Sequence, residues 1–177
     1  ANRPRDGQGR WSMAQSARTL DLITIGRSSI DLYGQQVGGR LEDMGGFAKY
    51  VGGSPTNTAI GASRLGLKTG LITRVGGDHM GRFIREELER EGVNTRGVIT
   101  DAERLTALVI LGIRDNTTFP LIFYRENCAD MALDEADIDE AYIASAGCVL
   151  LSGTHLSRAG VFAASLRAAK IAKKAGR

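Results

Sequence analysis

An α/β fold is what this sequence predicts: a mostly parallel sheet flanked by helices, with a small second β-sheet appended to it. Three observations carry that expectation. Apolar runs such as Leu20–Gly26 (LDLITIG), Thr69–Val75 and Cys148–Ser152 are short, lack alternation and end near glycine or serine, as buried parallel strands do. Between them lie helical stretches with small or one-sided apolar residues, so strand and helix alternate along the chain. Two further stretches, 33–50 and 105–124, are rich in glycine, turn residues and β-formers and do not fit the helical period.

Taken in order, residues 1–19 are polar, arginine-rich and aperiodic, and read as a disordered tail outside the fold. Leu20–Gly26 is the first buried strand. Asp31 follows where the carboxyl end of that strand opens into a loop, the place where open α/β sheets bind ligands. Residues 33–50 read as short antiparallel strands and turns. Ser54–Leu65 is a helix whose alanines and glycine allow close packing on a sheet, ended by Gly66. After the strand Thr69–Val75, Asp78–Glu91 is amphipathic, with Met80, Phe83, Ile84 and Leu88 on one stripe. Leu105–Arg114 and Phe119–Tyr124 flank the turn cluster Asp115-Asn116-Thr117-Thr118 and read as a hairpin. Asp134–Ser145 is a short helix and Cys148–Ser152 a buried strand. Ser157–Ala175 is a long helix with Val161, Phe162, Leu166, Ala169 and Ile171 toward the core.

Composition narrows the function classes. The chain has 177 residues, 42% hydrophobic and 24% charged, which is ordinary for one globular domain. The basic residues behind a pI near 9.1 concentrate at the two ends, leaving an acidic body, so no basic face interleaved with aromatics argues for nucleic acid. No apolar run approaches the ~18 residues of a membrane span. No apolar signal segment follows the basic N-terminus, so the cytoplasm is the expected location. Cys128 and Cys148 lack the spacing and histidine neighbours of a zinc site and are expected to be buried, reduced thiols. Neither has a partner that would mark a nucleophile.

The most informative stretch is Val51–Gly77, VGGSPTNTAIGASRLGLKTGLITRVGG. Adjacent glycines let the backbone adopt positive φ and let a neighbour approach without a Cβ in the way. A helix starting directly after them presents free N–H groups there. Alone, this reads equally as a cradle for a polar ligand or as a tight strand-to-helix turn with glycine chosen for geometry. The spacing of Gly52, Gly53, Pro55, Asn57, Ala59, Gly66 and Gly76, however, resembles at every fixed position the N-terminal signature of the ribokinase (PfkB) family of carbohydrate kinases. The resemblance extends beyond it. Residues around Asp31 resemble the family's first strand and substrate-binding aspartate, and 33–50 with 105–124 resemble its β-sheet lid. The phrases ITIGRSSIDLYG, LITRVGGDHMGRFI, TFPLIFYRENCADMAL and SGTHLS resemble the branch of the family that serves inositol catabolism.

The resemblance implies a ribokinase-like fold and phosphorylation of a sugar or keto-deoxy sugar acid from ATP with Mg2+, and a homodimer formed through the lid. The family's second signature, with its Gly-x-Gly-Asp anion hole and catalytic aspartate, belongs to a C-terminal half. No such tetrapeptide occurs here, since Gly76-Gly77-Asp78 closes the first signature. The chain is therefore expected to be the N-terminal, sugar-binding portion, truncated before the C-terminal half and without its own catalytic or nucleotide-binding residues. The implied roles are Asp31 on two sugar hydroxyls, Gly52 and Gly53 admitting the sugar edge, and Asn57 on a third hydroxyl. Tyr124, at the end of a lid strand, would contact the substrate, Arg125 after it would fork onto a substrate carboxylate, and His155 would face the substrate. Lys49 and Arg27 are weaker anion contacts. Competing readings are a kinase for 2-keto-3-deoxygluconate, fructose or a nucleoside, and a non-catalytic sugar-binding or lid-dimerisation module. A dinucleotide binder is disfavoured, because no G-x-G-x-x-G follows the first strand.

Overall fold

The computed structural model of the protein describes residues 18–153 and 156–177. The expected tail therefore lies almost wholly outside the described residues. Two four-stranded sheets form. The main sheet consists of β1 (Leu20–Ile25), β4 (Thr69–Gly76), β5 (Val98–Asp101) and β8 (Ala146–Leu151), all parallel, in the order β5-β4-β1-β8. The lid sheet has the order β3-β2-β6-β7, from β2 (Ser29–Gly34), β3 (Phe47–Gly52), β6 (Ala107–Leu111) and β7 (Leu121–Tyr124). Here β2 and β6 are parallel and both outer pairs antiparallel. The hairpin expectation holds. The lid, however, begins at Ser29 rather than at residue 33, so Asp31 sits inside a strand and not in a loop. Strand β5 was not foreseen: four residues between a helix and a turn carry too little pattern to be read.

The main sheet is packed on both faces. On one side α1 (Ser54–Arg64) and α2 (His79–Arg90) cover Leu71 and Val75, with Ala59, Ile84 and Leu88 filling the layer. On the other, α3 (Glu140–Ala144) and α4 (Ala159–Lys174) cover Ile23, Ile25 and Ile72 through Ile143, Val161, Ala164 and Ala168. Strand β4 is buried at all positions but Arg74 because its neighbours cover both faces. Helix α1 is held down by threonine hydroxyls: Thr24 donates to the Pro55 carbonyl at 2.9 Å, Thr69 to Ala59 at 3.0 Å, and Thr56 to Arg27 at 3.0 Å. These bonds need close approach, which the small residues of the helix permit.

Two expectations about packing are corrected. Helix α4 turns the small stripe Val161, Ala164, Ser165, Ala168 and Ala172 inward, leaving Phe162 and Leu166 exposed. The small side chains sit at helical spacing and allow a closer seat on the sheet than the bulky pair would. Cys128 is buried as expected, but Cys148 is exposed on β8, an edge strand of the main sheet.

Charged groups join the parts. Arg74 on β4 forks onto Asp137 at 2.7 and 2.8 Å and reaches Asp101 at 3.2 Å and Asp134 at 3.8 Å. Asp78 caps α2 by accepting from Met80 and Gly81 N–H, both at 2.8 Å. Its carboxylate also accepts from Thr106 N–H at 2.7 Å, directly before β6. The tempting Gly76-Gly77-Asp78 is thus a helix cap that ties main sheet to lid. Burial pushes the Asp78 carboxyl up, but the Thr106, Gly81 and Met80 bonds outweigh it and leave the group below its usual value of 3.8.

Asp78→Ala is expected to destabilise the fold by about 1–3 kcal/mol in urea unfolding, from the lost cap and the stranded Thr106 N–H. Because the native pKa is depressed, this contribution is complete above the unfolded value and disappears as pH falls through the native one. The gap between parent and variant should therefore close in acid. A gap that stays constant down to the acid transition would assign the effect to something other than the carboxylate.

Candidate functional site

The site grows from the turn between β1 and β2 and from the junction of β3 with α1. Antiparallel pairing puts Ser29 opposite Gly52 and Asp31 opposite Tyr50, while β6 and β7 add Val109 and Phe123 to the same row. Residues in one row share a face of a sheet. Tyr50, Asp31, Val109 and Phe123 therefore line one face of the lid, and Leu32, Leu108 and Tyr124 its reverse.

Asp31 lies on bare backbone. A Cβ built on Gly52 would stand 2.1 Å from Asp31 Oδ1 and 2.2 Å from Oδ2, so no other residue fits beneath this carboxylate. Gly53 has φ of +103°, and a Cβ there would meet the Arg27 carbonyl oxygen at 2.3 Å. Gly52 thus leaves the space that the Asp31 carboxylate occupies, and Gly53 the space of the Arg27 carbonyl. The Asp31 side chain accepts one hydrogen bond from the Ser29 hydroxyl at 3.1 Å. Burial pushes its carboxyl above the usual value, against that bond and the Arg27 charge. A part-buried carboxylate with one weak donor retains most of its acceptor capacity for hydroxyl groups.

Beside Asp31, Arg27 projects from the β1–β2 turn with its guanidinium carbon 5.6 Å from the centre of the Phe123 ring. Arg27, Phe123, Arg125, Glu126, Met131 and Arg158 line a cavity of about 410 Å³. Arg125 is held within it by Asp130, its Nε at 2.7 Å and an Nη at 2.6 Å from the same carboxylate oxygen. Asp130 is fully buried, and burial raises its carboxyl against the opposing pull of Arg125.

The predicted residues are partly brought together. Asp31, Gly52 and Gly53 form one unit, and Arg125 joins it through Arg27. Tyr124 faces away, into a groove with Leu32, Met80, Leu105 and Leu108, while Phe123 shares the row of Asp31. Asn57 is exposed on α1 and lines a separate groove of about 560 Å³ with Lys49, Tyr50 and Arg64. Tyr50, opposite Asp31, is the link between the two. Lys49 turns to the reverse face, its Nζ 3.6 Å from the Phe83 ring centre. His155 lies outside the described residues. Asp130 and Arg158 were missed; a lone acid inside CADMAL was the available signal for the first.

A family model described as pfkB family carbohydrate kinase matches residues 19–177. A 5-dehydro-2-deoxygluconokinase of Geobacillus kaustophilus is 46% identical over 142 residues, covering 80% of this chain and 42% of the relative. Its namesake in Geobacillus thermodenitrificans is 43% identical over 160 residues, covering 90% and 48%. Among solved structures, a PfkB protein from Polaromonas sp. JS666 superposes with a TM-score of 0.84 at 33% identity, covering 89% of this chain and 53% of that one. The fructokinase of Halothermothrix orenii gives 0.78 at 30%, covering 89% and 55%. The chain spans about half the length of the curated relatives it matches.

The raised carboxyl of Asp31 makes a test of its role. The ionised group is disfavoured by the fold, so the cost is absent below the unfolded pKa and grows as pH rises through the native one. Asp31→Asn should therefore raise the urea midpoint at neutral pH, with the gain fading as pH falls toward the unfolded value. A variant that loses stability at neutral pH would make Asp31 a structural carboxylate.

Proposed function

The chain belongs to the pfkB family of carbohydrate kinases, and from that premise we propose that it supplies the sugar-binding half and the lid of an ATP-dependent sugar kinase. The proposed substrate is a keto-deoxy sugar acid, foremost 5-dehydro-2-deoxygluconate, as the names of the relatives at 46% and 43% identity support. One observation carries the reading: a part-buried carboxylate, Asp31, seated on Gly52 with a single hydroxyl donor and an aromatic row beside it. Such a group binds vicinal hydroxyls well, because two acceptor oxygens meet two O–H donors in a partly desolvated site. The cationic cavity beside it favours an acid over a neutral sugar. Phosphoryl transfer asks for positioning of the acceptor hydroxyl, and that is the part these residues would play.

ATP enters through the family and through the sugar kinase PH1459 of Pyrococcus horikoshii, 32% identical, whose structure is in complex with ATP, and Mg2+ is proposed with it. Among the described residues no three metal-ligating side chains converge, and no step of the reaction is assigned to a metal or nucleotide held by them. The base and the nucleotide site are assigned to residues outside this chain. A second copy is proposed to cover the reverse face of the lid, where Leu105, Ile122 and Tyr124 are exposed around an apolar groove.

The protein should bind 5-dehydro-2-deoxygluconate in calorimetry yet release no ADP above background in a coupled assay. Sustained ADP release would overturn the division of labour. A single species at monomer mass at high concentration in sedimentation would overturn the dimer.

A further inference from the structure

We propose that Arg27 reads the anionic end of the substrate, receiving the sugar acid's carboxylate on its guanidinium, while Arg125 positions the cavity wall. This deepens the sugar-acid reading above and rests on it. Arg125 looks the better candidate in sequence, but its Nε and one Nη are already engaged by Asp130. Among the described residues Arg27 makes no ion pair within 4.0 Å. It is nevertheless half-buried, and burial together with the nearby charge of Arg125 disfavours its ionised form, against Asp31 and Asp130.

The rest of the chain shows what is unusual here. Arg74, similarly withdrawn from solvent, is given three carboxylates, Asp101, Asp134 and Asp137. Part-buried charges cost free energy unless paired. Arg27 is left without a fork partner at the carboxyl end of the first core strand, beside Arg125 and Arg158 in the same cavity. Only exposed Glu126 offsets them on that lining. A bound carboxylate would satisfy the Arg27 fork and relieve the repulsion among the arginines. Phe123 supplies orientation: a guanidinium resting on a ring face keeps its N–H edges directed sideways. The volume of about 410 Å³ is within the range of small-ligand sites. Arg27 also sits between the two halves of the binding problem, next to Asp31 on one side and Arg125 on the other. A ligand with hydroxyls at one end and an acid at the other would span them.

The test is a calorimetric comparison of 5-dehydro-2-deoxygluconate with fructose on the protein and on Arg27→Ala, Arg27→Lys and Arg125→Ala, with inorganic phosphate as a further probe. Arg27→Ala should weaken the sugar acid about 10–100-fold and fructose less than about twofold, while Arg27→Lys recovers part of the loss. Arg125→Ala should weaken both sugars together and lower the urea midpoint, because it removes the cation paired with the buried Asp130. The lysine variant keeps a cation and an aliphatic stem, so it guards against simple misfolding of the alanine variant. Equal losses for acid and fructose with Arg27→Ala, or loss of phosphate binding alone, would overturn the assignment. A parent protein that binds both sugars without preference would also overturn it and leave the sugar site standing. A parent that binds neither would remove the kinase reading together with this one.

Discussion

A carboxylate laid on bare backbone is the constraint from which this end of the molecule follows. For Asp31 to sit over Gly52, strand β3 must end without a side chain. For the chain to turn into α1 past the Arg27 carbonyl, the next residue must adopt positive φ without one either. Those two absences bring the β1–β2 turn, the lid and a helix start together. The threonine bonds of α1 then fix the helix at the distance that the small residues allow. Asp31 is therefore both a candidate ligand group and a filler of space that no larger neighbour would leave open.

The two sheets are joined by a shared apolar cluster and, at the rim, by a few well-satisfied polar contacts. Beyond the β1–β2 turn, the Asp78–Thr106 bonds connect the start of α2 to the start of β6. The Arg27–Phe123 contact connects the first core strand to the last lid strand. Both are polar or cation–π contacts at the rim. Of the two large apolar clusters, one lies under α3 and α4, and the other reaches into the lid, where Ile30, Leu32, Val51 and Leu108 pack with Ile84 and Leu88 of α2. The reverse face of the lid is thus seated by apolar packing, and the polar contacts set its geometry near the site.

Most of the fold was legible because its strands are apolar runs and its helices follow a clear period. What escaped the sequence was what depends on register. Tyr124 and Phe123 are adjacent and chemically alike, and only the pairing of β7 with β6 decides which shares a face with Asp31. Lys49 and Tyr50 are separated by the same rule on β3. Phe162 and Leu166 were placed in the core on hydrophobicity, where close approach favoured Ala164 and Ala168. Gly52 and Gly53 were found through their spacing, but their neighbours, Asp31 and the Arg27 carbonyl, are long-range facts that local sequence does not contain. Pairing of arginines is likewise a property of space: among the described residues Arg74 and Arg125 meet carboxylates and Arg27 makes no ion pair within 4.0 Å.

The order of strands in the main sheet has a consequence for how the chain reaches its native state. Strand β1 is central, yet its neighbours are β4 and β8, and β8 is made only at Ala146–Leu151. In the lid, β2 likewise waits for β6. During synthesis the segment LDLITI therefore remains without one of its two partners until Ala146–Leu151 has emerged. Long-range parallel pairing of this kind closes large loops before it is rewarded, which slows folding and leaves a sticky segment exposed.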